Sequence, residues 1–307
     1  MNTNLKVIIR KLLLFLALLV VVDYLAGSIL KYFYFKHDPL IGASTAYVAN
    51  YADQKLLVIG PSHALHHYIS KQLADSTHLS CYNAGANGNY LLYSYAMLKC
   101  VLKRYTPKMI ILDIRAEEFD VNPQGYDHLS VLLPYYDQHP EIRSIIVQRS
   151  RFENIKLLSK TYPFNSQLLS ILNRNIYKNK NEFKADSLSG FIPLKDTIKT
   201  KFTGEYYKDV RTDPNYIHIY KEFLDDCLKR RIKLYVFISP ILPEMHSQTS
   251  TIKIALKIAN DTHVPFFDFS NDYRFKKNIY FFDNEHMNIN GAKLFTSMVI
   301  EKIKQVK

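Results

Sequence analysis

Tryptophan is absent from the 307 residues, cysteine occurs three times and glycine nine times. Cys81, Cys100 and Cys227 are too few and too scattered for a disulfide framework or a paired-cysteine zinc site. So little glycine excludes collagen-like and glycine-rich low-complexity chains. Charged residues make up only 22% against 48% hydrophobic, which excludes wholesale disorder. No internal repeat is visible. The length suits one large domain, or one domain carrying an insertion, with a full core and no need of staples. Acidic residues are also in deficit, 28 against 40 basic ones, for a net charge of +12. An excess of that size raises nucleic acid, an anionic membrane or an acidic polymer as a partner. Half of it falls in residues 140–213 and a third in residues 1–36, while residues 37–139 are mildly acidic. No nucleic-acid module is recognisable, so nucleic acid is the least favoured of the three.

The first forty residues hold the longest apolar run. Lys6, Arg10 and Lys11 precede Leu12 to Val22, and after Asp23 and Tyr24 the run continues from Leu25 to Leu30. Such a run approaches the ~20 residues that cross a bilayer. The leading basic residues would keep the N-terminus in the cytoplasm and put the rest outside. Asp23 interrupts the run. Three readings stay open: a signal anchor at residues 1–36 with Asp23 paired to a membrane partner, a signal peptide cut after Ala26-Gly27-Ser28, or a buried helix. The cluster Tyr32-Phe33-Tyr34-Phe35 resembles an interfacial aromatic belt and favours the anchor. The expected localisation is therefore a single-pass inner-membrane protein with its main domain outside the cytoplasm.

Residues 37–307 read as an α/β domain. Lys55–Gly60, His78–Asn83, Lys108–Ile114, Ile232–Ser239 and Val264–Phe269 are short apolar runs of the kind that form buried parallel strands. Helical periodicity covers Leu91–Tyr105, Tyr216–Arg231, Thr251–Asp261 and Gly291–Lys304. Strands alternating with helices predict a three-layer, flavodoxin-like parallel sheet of five strands. One connection is abnormal. About 100 residues (116–215) separate the third strand from the next helix, where ~2–6 are usual. Ser144–Leu158 and Gln167–Tyr177 look helical, and 179–212 looks like polar loop. Its aromatics (Tyr135, Tyr136, Tyr162, Phe164, Tyr177, Phe183) offer a sugar-stacking or lipid-facing surface, or simple core. Arg149, Arg151, Lys156 and Lys160 could bind phosphates.

Two segments carry chemistry. Gly60-Pro61-Ser62-His63 follows the first strand, where α/β sheets place ligands and where a helix start would offer backbone N–H groups to an oxyanion. Ser62 could equally be a plain helix cap. Far along the chain, Asp283-Asn284-Glu285-His286-Met287-Asn288 precedes the last helix. A carboxylate three residues before a histidine can hold its tautomer while the other ring nitrogen takes a serine proton. His63, His66 and His67 have helical spacing but lack the carboxylate or cysteine partner of a zinc site, so no metal and no cofactor is expected.

Gly60-Pro61-Ser62, Asn83-Ala84-Gly85 and Asp283 through Ala292 together resemble the SGNH (GDSL-like) hydrolase superfamily. Architecture further resembles its membrane-anchored members of cell-envelope acylation, the DltD-like and alginate-acetylation-like proteins. The resemblance implies Ser62 as nucleophile, His286 as general base, Asp283 as its orienting carboxylate, and the N–H groups of Ser62 and Gly85 as oxyanion donors. His63, Asn89 and Asn288 would line the substrate site. The superfamily's asparagine after the third strand is missing; Asp113-Ile114-Arg115 stands there, leaving Arg115, Asn87 or Asn89 as substitutes. The implied function is O-acyl transfer to, or removal from, a cell-envelope polysaccharide through an acyl-serine. A cell-envelope glycan or acyl donor, and a membrane-bound acyltransferase met through the anchor, are the implied partners. A binding or assembly subunit with weak or no catalysis is the alternative.

Overall fold

The computed structural model describes residues 3–36, 44–176, 189–199 and 210–306. Five parallel strands, β1 (Leu56–Ile59), β2 (Cys81–Asn83), β3 (Met109–Asp113), β4 (Lys233–Ile238) and β5 (Phe266–Asp268), form one sheet in the order β2-β1-β3-β4-β5. Register runs Leu57 against Tyr82 and Ile110, and Ile111 against Tyr235. The central strands are apolar throughout because both faces are covered. Leu57 and Ile59 point into one core, and Leu56 and Val58 into the other.

The first core packs under α2 (Ser44–Asn50), α5 (Leu91–Arg104), α10 (Pro214–Lys229) and α11 (Ser250–Asp261). The second packs under α3 (Ser62–His67), α4 (Ser70–Thr77) and α12 (Ile289–Gln305). Caps fix several starts. Asp213 and Thr249 accept from the first turns of α10 and α11, and Asn288 accepts from two N–H groups of α12. These layers agree with the flavodoxin-like expectation.

The insertion leaves and returns at one point. Val121 donates its N–H to Arg211 O, and Asp213 donates to Phe119 O. Between them lie α6 (Pro123–Asp127), α7 (Arg143–Ile146), α8 (Glu153–Lys156), α9 (Leu168–Ile176) and several 3₁₀ turns. The helix expected over Ser144–Leu158 is broken into α7, a 3₁₀ turn and α8. The buried Glu153 explains the break. It draws Ser150, Arg149, Lys156 and Tyr162 around itself, taking their side chains off a helical face. Arg149 and Lys156 are thereby spent inside the protein, and Lys160 pairs with Asp137. Tyr135 and Phe164 are buried. Tyr177 and Phe183 lie outside the described residues.

The transmembrane part of the expected fold, and with it the single-pass localisation, is corrected. Among the described residues no helix is long and apolar enough to cross a membrane. The N-terminal helix α1 (Thr3–Phe35) is fastened to the insertion over its second half. Asp23 accepts from Ser159 Oγ at 2.7 Å, Lys160 N at 2.6 Å, and Thr161 N and Oγ at 3.2 and 2.6 Å. Burial alone would raise its pKa, but these four donors bring it down to about 2. One turn on, a Cβ at Gly27 would lie 2.4 Å from the backbone of Lys160, so only glycine allows this approach. Tyr34 and Phe35 then pack edge to face with Tyr135, and Tyr34 lies tilted against Phe164, so these rings serve packing and not a membrane belt. Apolar side chains from Leu12 to Val22 stay exposed, as do Leu5, Val7, Ile8 and Ile9 before them and Leu25 and Ile29 after.

Candidate active site

The site lies at the carboxyl ends of β1 and β2. Gly60 directly follows β1, and a Cβ there would meet Asp113 O of β3 at 2.5 Å. The chain can turn tightly over β3 only without a side chain at this position. Pro61 then directs the backbone into α3, whose first residue is Ser62. The six-residue α3 is too short for a substantial dipole. Its anchoring comes from side chains instead. Asn83 Nδ2 donates to Ala64 O at 2.6 Å and Tyr68 O at 2.9 Å. Tyr68 and Ser239 both donate to the buried Asp113, tying the end of α3 to β3 and β4. Burial pushes the Asp113 carboxyl up to about 7, against the pull of these two hydroxyls.

The histidine loop comes from the other end of the chain. An isolated bridge pairs Phe281 with Met287, and Asp283 Oδ1 accepts from the N–H groups of Glu285 and His286 at 2.8 and 2.7 Å. The loop is pinned to α3 where Met287 N–H donates to His67 Nε2 at 2.9 Å. His286 Nδ1 lies 2.8 Å from Asp283 Oδ2, and His286 Nε2 lies 2.7 Å from Ser62 Oγ. An ionised carboxylate only accepts, so Nδ1 carries the imidazole proton and Nε2 presents its lone pair to the serine hydroxyl. Burial would raise the pKa of Asp283, but the His286 ring and two backbone N–H groups outweigh it and hold it near 2. Residues separated by over two hundred positions thus meet in the order acid, imidazole, hydroxyl.

The other expected site residues fall differently. Gly85 is adjacent, but its N–H already donates to Asn83 Oδ1 at 2.9 Å. Arg115 stacks over Tyr90, 4.3 Å from the ring centroid, with Nε 3.5 Å from Glu117 and 3.8 Å from Glu118. Two carboxylates thus occupy its charge. Asn89 is buried and bonds Asn87 O through Nδ2. Asn288 is buried as the cap of α12, where its amide also holds Ile279 O and Thr197, so it serves the helix and not a substrate. His63 is buried with its ring stacked on His67 at 4.9 Å and 5.7 Å from the His286 ring. Burial, then the neighbouring His286, keeps its pKa well below the usual value. It packs edge to face with His286.

Sequence reasoning missed two supports. His67 holds the histidine loop, and only its spacing after Ser62 hinted at it. The segment 189–199, expected as polar loop, is an extended strap bonded to β2, α3 and the start of α12. Ser189 O accepts from Asn83 N, Ile192 N donates to Leu65 O, and Leu194 O accepts from Ile289 N. No sequence periodicity marks an extended strap of this kind. A cavity of about 220 Å³ lies elsewhere, between α1 and the insertion, lined by Tyr24, Lys31, Pro134, Lys160 and Phe164. Cys100, His139 and Glu141 also cluster, with ligand-type atoms within 4.8 Å of one another, but Glu141 and Asn50 take both His139 ring nitrogens.

An α/β protein with a Ser-His-Asp chain at the carboxyl ends of its strands is the class that fold and site define. No family model matches the sequence, and no curated protein matches it. Among solved structures, the chain is similar to a protein from Desulfitobacterium hafniense DCB-2 described as a lipolytic protein of the G-D-S-L family. The identity is 11% over 80% of this chain and 98% of that one, with a TM-score of 0.39. It is similar also to a lipase/acylhydrolase from Enterococcus faecalis, at 11% identity over 81% of this chain and 95% of that one, with a TM-score of 0.39.

Proposed function

We propose that this protein is a serine acyl-transfer enzyme acting on an ester through an acyl-Ser62 intermediate. The observation that carries the reading is the continuous chain from Asp283 through His286 to Ser62 Oγ. As Ser62 Oγ attacks the ester carbonyl, its proton passes to His286 Nε2, and Asp283 stabilises the imidazolium. His286 then returns that proton to the leaving alkoxide, and the acyl group stays on Ser62. An incoming hydroxyl gives its proton to His286 and takes the acyl group, restoring the Ser62 hydroxyl. Water as that hydroxyl gives an esterase; a glycan hydroxyl gives an O-acyltransferase, with a cell-envelope polysaccharide as the acceptor suggested by the sequence resemblance.

A fluorophosphonate probe tests the reading. Wild-type protein should label covalently at Ser62, and Ser62→Ala and His286→Ala should not. A folded wild-type protein that neither labels nor gains mass from an activated acetyl ester overturns it. A second reading, a binding subunit with weak catalysis, is favoured by the engaged Gly85 N–H and the paired Arg115. Losing one oxyanion donor costs ~10²–10³ in turnover. Under this reading Ser62→Ala leaves polymer acylation in cells unchanged while deletion abolishes it.

A further inference from the structure

We infer that His66 is a positioning residue that sets which end of the Asn87 side-chain amide faces the nucleophile, making Asn87 the third oxyanion donor. The inference rests on the acyl-transfer reading above. His66 is buried on α3, and its ring centroid lies 5.6 Å from that of His286. Its Nδ1 is 2.8 Å from Ile192 O, in the strap. A carbonyl only accepts, so Nδ1 carries a proton. Its Nε2 is 3.0 Å from the Asn87 amide, at Oδ1. That pairing requires a second proton on Nε2, hence an imidazolium. The two ends of an amide have nearly one shape, and a half-turn exchanges them. A neutral His66 offers a lone pair at Nε2, which of the two amide ends only the NH₂ can satisfy, although the Asn87 side chain is exposed.

Two coupled states follow. With His66 neutral, Asn87 turns its NH₂ towards the His66 ring. One N–H goes to His66, and the other is left for an oxyanion on Ser62. With His66 protonated, Asn87 turns its oxygen inward, and an oxyanion meets an acceptor. The loop is held where this matters. Ala84 N donates to Val58 O, Ala86 N donates to Gly60 O, and Asn87 O accepts from Asn89 Nδ2. Asn87 therefore sits one residue past a bond to the turn that carries Ser62. Burial lowers the His66 pKa, and His286 adds to this, while the Ile192 and Asn87 contacts and the Asp283 charge oppose it. The other titratable neighbours, His63 and His67, lie on the same short helix. The donor missing after β3 is thus replaced from the loop after β2.

The test compares Asn87→Ala, His66→Phe, the double variant and His66→Gln, with p-nitrophenyl acetate as substrate and fluorophosphonate labelling alongside. Asn87→Ala should lower kcat about 10²-fold with little change in KM. His66→Phe should cost at least tenfold, and the double variant no more than Asn87→Ala alone, because the ring acts only through the amide. His66→Gln offers an acceptor that cannot be protonated near neutrality. It should keep kcat within about threefold at pH 8 and lose one step of the acid limb of the pH profile, which a purely structural ring would not remove. Thermal melting controls for folding. ¹⁵N NMR of histidine-labelled protein should show the Nδ1–H tautomer for His66. Wild-type kcat in Asn87→Ala, multiplicative losses in the double variant, an unchanged acid limb in His66→Gln, or an Nε2–H tautomer would each overturn the inference. No labelling of wild type ends the acyl-transfer reading as well; labelling with unaffected variants ends this inference alone.

Discussion

Replacing Asp283 by Asn separates orientation from folding at the triad. Asp283 Oδ1 accepts from Glu285 N and His286 N, and its other oxygen accepts from His286 Nδ1 at 2.8 Å. The asparagine oxygen can keep both backbone bonds, so the loop stays closed and the melting temperature should move little. The NH₂ that replaces Oδ2 faces Nδ1–H, and two donors cannot pair. The ring escapes by moving its proton to Nε2. That proton then points at Ser62 Oγ, 2.7 Å away, and the imidazole can no longer accept from the serine. The same exchange in a serine-protease triad costs about 10⁴ in kcat, roughly 5.5 kcal/mol of barrier. Initial rates on p-nitrophenyl acetate, with fluorophosphonate labelling as a second readout, should show a loss of that order. Asp283→Ala should add a lower melting temperature, because two backbone N–H groups lose their acceptor. Because Asp283 stays ionised down to about pH 2, the acid limb of wild-type activity should lie well above that value. Labelling of Asp283→Asn at the wild-type rate at pH 7 would refute the tautomer argument.

Further predictions concern the scaffold. Gly27→Val should release the second half of α1, since even a Cβ would clash with Lys160 at 2.4 Å; hydrogen exchange should rise in α1 and at Ser159–Thr161, and unchanged protection there would contradict the clasp. His63 and His67 have depressed pKa values because both are buried, with His286 and His63 respectively adding to it. Below about pH 6.5 the unfolded chain binds protons that the folded chain refuses, so their stability contribution is full above that pH and is lost as pH falls, by up to ~1.4 kcal/mol per unit for each ring. Because Asp113 acts oppositely over the same range, the check is a comparison: between pH 7 and pH 5 the urea midpoint of His63→Phe should fall less than that of wild type, and an identical fall would refute this. Asp113 runs the other way: its folded value near 7 exceeds the ordinary 3.8, so stability is lost as pH rises between the two. Asp113→Asn cannot ionise and keeps an acceptor for Tyr68 and Ser239, so it should raise stability at pH 8 by a few kcal/mol and change it little at pH 4. Equal shifts at both pH values would contradict a buried, titrating carboxyl.

The sheet was legible because burial on both faces leaves uninterrupted apolar runs, and a run such as Met109–Asp113 has few other uses. The acid, histidine and serine were legible because each sits at a strand end or a helix start with its chemistry in a short motif. Their meeting required only the strand order. The N-terminal helix misled for a physical reason. Hydropathy counts apolar residues but does not see what a lone Asp23 bonds, and the donors at Ser159–Thr161 lie over a hundred positions away. The insertion was opaque for a related reason. Its helix is broken by one buried carboxylate, Glu153, and its last part is held by backbone pairing along 189–199, neither of which has a period. Arg115 was attractive as a substitute donor only while Glu117 and Glu118 were read as neighbours in sequence and not as its partners.

The insertion is basic in sequence, yet its charges do different jobs. Arg149 and Lys156 close on Glu153 and Lys160 closes on Asp137, so these cations stabilise the excursion itself. The part that reaches the site is the strap, which bonds α3 at Leu65 and His66. A lid would act on substrate by excluding water. A strap acts on the site through its hydrogen bonds, and this one joins the start of α12, just after the histidine loop, through Leu194, and His66 through Ile192. Loosening the strap should therefore lower kcat before it alters KM, whereas loosening a lid would raise KM as well. Ser70→Ala, which removes the 2.6 Å bond from Ser70 Oγ to Ser189 O outside the catalytic groups, distinguishes the two. A lower kcat at constant KM fits a strap that positions His66; a raised KM with unchanged kcat would assign this segment to substrate binding instead.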